Sequence, residues 1–263
     1  MLPTSPEAFL LHLLRLFAWL ALLAAIFVPL ERLFALHPQR LLRRGLARDL
    51  FYFFLNGLLP AVLLAVPMAI LAGLAASLIP EFWRGWLSEL PFWARLLLAL
   101  VVAEIGAYWG HRWSHSVPLL WRFHRLHHAN EHVDWLTNSA AHPVDVVFVR
   151  LCGLSAVYAV GLGQAGAGAP DLVPALVAVL GTVWGFFIHA NIRWRFGPLE
   201  HLVSTPAFHH WHHTRHEHVD RNFAALFPWV DRIFGTLHLP RGEWPKEYGV
   251  MDEAPRQGPA QRP

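Results

Sequence analysis

The sequence predicts an all-α integral membrane bundle of four or five transmembrane helices, with a histidine-rich helical cap on one side. Composition points to the membrane: 55% of the 263 residues are hydrophobic and 15% are charged. That is too apolar for an ordinary soluble domain and too long for a single span. Apolar stretches recur at about 9–30, 51–79, 92–110, 144–163 and 172–190, each able to cross a hydrocarbon core of about 30 Å. Sixteen of the eighteen histidines follow residue 110, so metal-binding chemistry is concentrated in the second half of the chain.

The first stretch carries Glu7 and no basic residue before Arg15, so it lacks the positive leading region of a signal peptide and reads as a retained span. Pro60 and Pro67 interrupt the second, predicting a tilt, a kink or a re-entrant hairpin there. Arg32, Arg40, Arg43, Arg44 and Arg48 mark the intervening loop as cytoplasmic. The loop at 80–91 holds only Arg84, and that at 164–171 has no basic residue. Arg112, Arg122 and Arg125 follow the third span, and Arg193 and Arg195 follow the fifth. Threading five spans through these loops puts every histidine block and the C-terminus on the cytoplasmic side. The arginine bias and the brevity of the chain suggest a bacterial inner membrane.

Pro118 is placed to start a new helix, and Pro198 and Pro206 punctuate the last polar block. Three regions follow: a transmembrane part at 1–95, a catalytic part at 96–240, and a C-terminal tail at 241–263 that is expected to be disordered, its end from about 252 included. Lys246 is the only lysine and most arginines flank apolar segments, so the basic balance reads as membrane topology rather than nucleic-acid binding. The single cysteine, Cys152, excludes an internal disulfide framework and is expected to pack as a small hydrophobe.

The histidines form three blocks: His111 with His115, then His124, His127 and His128, then His209, His212 and His213. Residues three and four apart share a helix face, so each block aims its imidazoles at one point. Imidazole is a common nitrogen ligand for iron, zinc and copper, and eight converging rings exceed the needs of one ion. His142, beginning a His-Pro pair, and His189, ending the fifth stretch, bring the candidate metal ligands to ten. His210 lies between two pattern members and should point away from their face. Carboxylate-built diiron bundles use Glu-x-x-His motifs, and this sequence has none, so nitrogen ligation is favoured.

Two carboxylates are candidate contributors to catalysis. Glu104 sits seven residues before His111, two turns away on one face. An ionisable group at that depth is costly and usually functional, and it is expected to brace a ligating imidazole. Asp145, just after His142 and Pro143, is placed either to brace an imidazole or to cap a helix. Asp220 and Asp231 are positioned to orient His213 or to pair with Arg232.

Together these residues resemble the fatty acid hydroxylase superfamily, which includes sterol desaturases, sterol methyl oxidases and alkylglycerol monooxygenase. The resemblance covers about 100–240. It rests on Glu104 through His111 to His115, Leu120 through His128, Ala141-His142-Pro143, Gly197-Pro198-Leu199-Glu200, Thr205-Pro206, and His209 to His213. Asp220-x-Asn222 and Asp231 through Thr236 extend it. The Gly-Pro-Leu-Glu, Thr-Pro and histidine run is most similar to alkylglycerol monooxygenase, whose relatives use a tetrahydropterin.

The resemblance implies a membrane-bound, O2-dependent non-haem diiron enzyme that hydroxylates a lipid C–H bond, with desaturation on the same site as the alternative. It implies two iron ions, replaceable by zinc in a purified sample. The lipid substrate would come from the bilayer, and the electrons from a reduced tetrahydropterin or a ferredoxin- or cytochrome-type donor. The rival readings are a membrane zinc protein and a haem carrier. Zinc catalysis needs three protein ligands and an open position, which leaves the ligand surplus unexplained. A haem carrier needs paired histidines at matched depth on facing spans, whereas these blocks gather at one side.

Overall fold

The computed structural model describes residues 5–163 and 172–251, and every regular element in them is helical. Helix α1 (Pro6–Leu33) begins at Ser5, whose side chain accepts from the Ala8 amide at 3.2 Å, with Pro6 in the first turn. Both are standard helix-start chemistry. Helix α2 (Leu46–Leu78) enters from Gly45, whose φ of 89° suits a residue without a Cβ. It forms no re-entrant hairpin, and runs through Pro60 and Pro67 as one helix of 33 residues. At about 1.5 Å per residue it is roughly 50 Å long, more than a bilayer core needs.

Helix α3 (Glu81–Glu89) is a short connector, and α4 (Phe92–Ser116) carries the first histidine block at its end. Helix α5 (Pro118–His128) starts at Pro118, as its sequence predicts. A 3-10 turn over Trp135–Ser139 is fastened by a capping box on Asp134. Helices α6 (Pro143–Ala159) and α7 (Val173–His189) follow, then a 3-10 turn at Gly197–His201, α8 (Pro206–His212) and α9 (Pro228–Ile233).

Among the described residues, α1, α2 and α4 are long and apolar enough to cross a membrane. Helices α6 and α7 have 17 residues each, the short end of the spanning range. Large apolar side chains such as Leu10, Val66 and Trp93 face outward, 58%, 68% and 69% exposed, a surface that water does not favour and lipid does.

The helices alternate in direction. One apolar cluster unites Leu87, Ala99, Val157, Leu162 and Val173, marking one end of the bundle. At the other end the chain after α1 meets the chain after α7, with Ala35 bridged to Ile192. That second end holds the last turns of α4 and α7, the first turn of α6, and all of α5 and α8. Helices α4 and α6 approach closely because small residues face each other. A Cβ added at Gly106 would lie 2.4 Å from the Cys152 carbonyl oxygen, a contact that only glycine permits. Cys152 is therefore a packing residue, half-buried in this seam.

Arg43 is more than a topological marker. It is buried between Asp49 and Asp134, with Nη2 2.7 Å from Asp49 Oδ2 and 2.6 Å from Asp134 Oδ1. Residues 241–251, assigned to the tail by the sequence, instead fold back onto the cap: the Arg215 amide donates to the Glu247 carbonyl, and Tyr248 is buried. The stretch from 252, expected to be disordered, lies outside the described residues, as does the loop 164–171 used in the topology argument.

Candidate metal centre

Nine histidines converge into two abutting groups. His111, His115, His124, His128 and His212 form the first, and His127, His189, His209 and His213 form the second. Within each group the ligand nitrogens lie within 4.8 Å of one another. Helix periodicity explains the division. His124 and His128, four apart on α5, join the first group while His127 turns to the second. His209 and His213, four apart, join the second while His212 on α8 turns to the first. Each HxxHH block thus serves both groups, and the rings of His128 and His213 lie 4.7 Å apart where the groups meet.

The outer ring nitrogens settle which inner nitrogens carry protons. His111 Nδ1 donates to the Phe223 carbonyl at 2.7 Å, and His124 Nδ1 donates to Asp145 Oδ2 at 2.9 Å. A neutral imidazole that donates through Nδ1 presents a bare lone pair at Nε2. These two Nε2 atoms are 3.2 Å apart, lone pair against lone pair, an arrangement that repels unless a cation lies between. His189 Nδ1 likewise donates to the Gly185 carbonyl at 2.7 Å. Its bare Nε2 faces those of His127, His209 and His213 at 3.1, 3.1 and 3.0 Å.

Adjacent ligands on a first-row metal with bonds of about 2.1 Å sit about 3.0 Å apart, so the spacing suits metal ions. The inner nitrogen of His212 is buried without a hydrogen-bond partner among the described residues, while its Nδ1 donates to the Arg221 carbonyl at 2.9 Å. Burial, reinforced by neighbouring imidazoles, pushes His127 down to about 3 and holds His128, His209, His212 and His213 well below the usual histidine range. Neutral rings are the form that binds metal.

The structure leaves His142 out of both groups. It caps α6, accepting from the Val144 amide at Nδ1, and rests against Phe123. A His-Pro pair at a helix start serves as a cap, and this one points along the helix it begins. Glu104 also differs from expectation: its Oε1 accepts from the Leu226 and Phe227 amides at 2.7 and 3.2 Å, and reaches no histidine. Two turns on α4 carry it too far from His111, and it clamps the last loop of the cap instead. Asp145 does brace a ring, and Ser114 donates to its other oxygen at 3.1 Å.

Asp220 faces His115 Nδ1 at 3.0 Å. Asp231 accepts from the Phe223 and Ala224 amides and from Thr236, so it shapes the segment whose Phe223 carbonyl braces His111. His210 points away from the groups, with Nδ1 2.8 Å from the Tyr248 hydroxyl and Nε2 3.1 Å from the Ala190 carbonyl. The braces from the Phe223, Arg221 and Gly185 carbonyls carry no side-chain signal and were unreadable in the sequence.

Below the histidines lies a cavity of about 540 Å³, lined by residues of α1, α2, α4, α6 and α7. His111, His124 and His127 form part of its wall, and Leu100, Val149, Leu154 and Phe186 line its apolar part.

Several known proteins are similar to this chain in sequence. The ornithine lipid hydroxylase of Rhizobium tropici is 32% identical over 176 residues, 66% of this chain and 50% of that protein. Alkylglycerol monooxygenase of Homo sapiens is 29% identical over 143 residues, 53% of this chain and 29% of that protein. Methylsterol monooxygenase 2-2 of Arabidopsis thaliana is 27% identical over 189 residues, 71% of this chain and 65% of that protein. The chain thus spans half the length of the first relative and under a third of the second. No solved structure matches. The fatty acid hydroxylase family model matches residues 96–236, more than half of the chain, and the chain belongs to the fatty acid hydroxylase family.

Proposed function

We propose that the protein is a membrane-embedded, O2-dependent lipid hydroxylase built on a pair of non-haem iron ions. The observation that carries the reading is the juxtaposition of two nitrogen-only histidine groups with the apolar cavity beneath them. His111, His115, His124, His128 and His212 would hold one ion, and His127, His189, His209 and His213 the other. Neutral imidazoles leave the metal's positive charge uncancelled, which suits binding and reduction of O2. When bound, the metal pair supplies the redox chemistry that places one oxygen atom of O2 into a C–H bond and reduces the other to water. The two electrons and two protons for this come from an external donor.

The remaining work falls to the chain. Asp145 and the three backbone carbonyls hold the imidazoles in one tautomer and orientation. The cavity walls exclude water and present a methylene to the histidines, and placement at that level governs rate and outcome. The names of the relatives, an ornithine lipid hydroxylase and two lipid monooxygenases, support a lipid substrate drawn from the bilayer. The arginines between α1 and α2 support a cytoplasmic histidine face in a bacterial inner membrane, where a ferredoxin- or cytochrome-type donor or a reduced pterin can reach it. Residues 96–240 would form the catalytic part and 1–95 its transmembrane support.

The test is metal content per chain of detergent-purified protein from iron-supplemented cells, with an optical spectrum and mass analysis of lipid extracts. The expected result is about two irons per chain, no haem Soret band, and lipids heavier by one oxygen atom in expressing cells. His124→Ala and His209→Ala should each lower the metal content. A single zinc that iron does not displace, or a Soret band, would sink the reading.

A further inference from the structure

The cavity wall holds a charge that the proposed chemistry does not use. Arg150 on α6 lines the cavity, and its only hydrogen bond among the described residues is a long one, 3.5 Å from Nη2 to Thr182 Oγ1. None of the ion pairs among the described residues includes Arg150. The two carboxylates on the same wall are already engaged, Glu104 by the Leu226 and Phe227 amides and Asp145 by His124 and Ser114. Apart from the histidines, Arg150 is the one cationic side chain on that wall among the described residues.

Its depth sharpens the point. Arg150 follows Asp145 by five residues on α6, about 7.5 Å along the axis, and Thr182 precedes His189 by seven on α7, about 10 Å. Both helices place the arginine among the apolar walls, away from the polar cap. Ionisable groups at such depth pair with one another or mark the path of a substrate. There is room for a ligand, because a Cβ added at Gly181, beside Thr182, would meet nothing within 4 Å.

We propose that Arg150, supported by Thr182, is a specificity-determining residue that holds an oxyanion of the lipid substrate inside the cavity. A guanidinium presents a planar fork of donors that matches a carboxylate or a phosphate through paired hydrogen bonds. The lipid is thereby anchored at one point, and its apolar chain is laid along the walls toward the histidines. This inference deepens the lipid-hydroxylase reading and rests on it for the cavity being the substrate's.

The test is equilibrium binding, without turnover, of three ligands of one chain length to detergent-purified protein from iron-supplemented cells: hexadecanoic acid, hexadecyl phosphate and hexadecanol. Wild type should bind at least one anion about tenfold or more tightly than the alcohol, and the preferred anion identifies the source as carboxylate or phosphate. R150M should remove that preference while iron content and melting temperature stay near wild type, and R150K should restore part of it. Equal binding of all three ligands by wild type overturns the inference whatever the variants do, and so does a preference that survives in R150M. Iron content is read on the same samples. Anion preference without iron would sink the metal reading alone, and iron without preference would sink this one alone.

Discussion

His124 and Asp145 form the joint through which α6 fixes the first histidine group. The ring's Nδ1 lies 2.9 Å from one carboxylate oxygen, and Ser114 on α4 donates to the other at 3.1 Å. One side chain therefore ties α4, α5 and α6 at the point where two inner nitrogens face each other. D145N should keep the fold, since an amide oxygen still accepts from the ring, but it removes the charge that makes the ring a strong ligand. Loss of such a brace typically costs about 10–100-fold in metal affinity. Competition with a chelator, with helix content followed by circular dichroism, checks this; unchanged affinity would show the contact to be packing only.

Glu104 should behave in the opposite way. Its carboxylate serves the Leu226 and Phe227 amides, so its loss strands two donors and leaves the imidazoles in place. Glu104→Leu should cost stability, about 1–3 kcal/mol for each unsatisfied buried amide, with metal affinity per folded molecule near wild type. Denaturant unfolding in micelles beside a metal titration separates the two. A fall in affinity without a fall in stability would restore a bracing role for Glu104.

Arg43 is buried between two carboxylates, one at the start of α2 and one at the 3-10 turn before α6. R43M leaves Asp49 and Asp134 facing each other without their cation. Removing one partner of a buried ion pair costs about 3–5 kcal/mol, so the variant should unfold well below wild type. A melting temperature within a degree of wild type would mean the pair adds nothing net.

The sequence showed the parts of this site whose signal is periodic. Spacings of three and four at α4, α5 and α8 point eight histidines inward, the place of His189 at the end of an apolar stretch supplies the ninth, and length with hydropathy mark α1, α2 and α4. It did not show the division into two groups, because a flanking position such as His127 or His212 is assigned only once α5 and α8 face each other. Backbone braces such as the Phe223 carbonyl leave no trace in residue identity. The ion pairs of Arg43 were hidden because a basic residue beside a span reads the same whether it meets lipid heads or a buried aspartate. His142 misled for a related reason: its place in the sequence fits a ligand and a helix cap equally, and only the direction of its ring separates them. Proline at 60 and 67 removes donors from α2, yet the helix continues through both positions, as neighbouring packing permits in membrane helices.

The histidine groups also set how the metal-free protein responds to acid. Burial first, and then neighbouring imidazoles, lower His127 to about 3 from the ordinary 6.5, and lower His128, His209, His212 and His213 well below it. In the unfolded chain these rings gain protons as the pH falls past 6.5, whereas the folded protein refuses them until far lower pH. The unfolded state therefore binds more protons throughout that window, and stability falls as the pH falls. Each such ring contributes a slope of about 1.4 kcal/mol per pH unit. Bound metal acts with the same sign, since a ligating nitrogen must be unprotonated. Melting of the metal-free protein should thus change little between pH 8 and 7 and drop steadily from about 6.5 downward. His127→Phe, which keeps a ring of similar shape but no titrating nitrogen, should make that drop shallower. A melting temperature that holds or rises between pH 7 and 5 would mean that these rings are open to water and proton exchange in the folded protein.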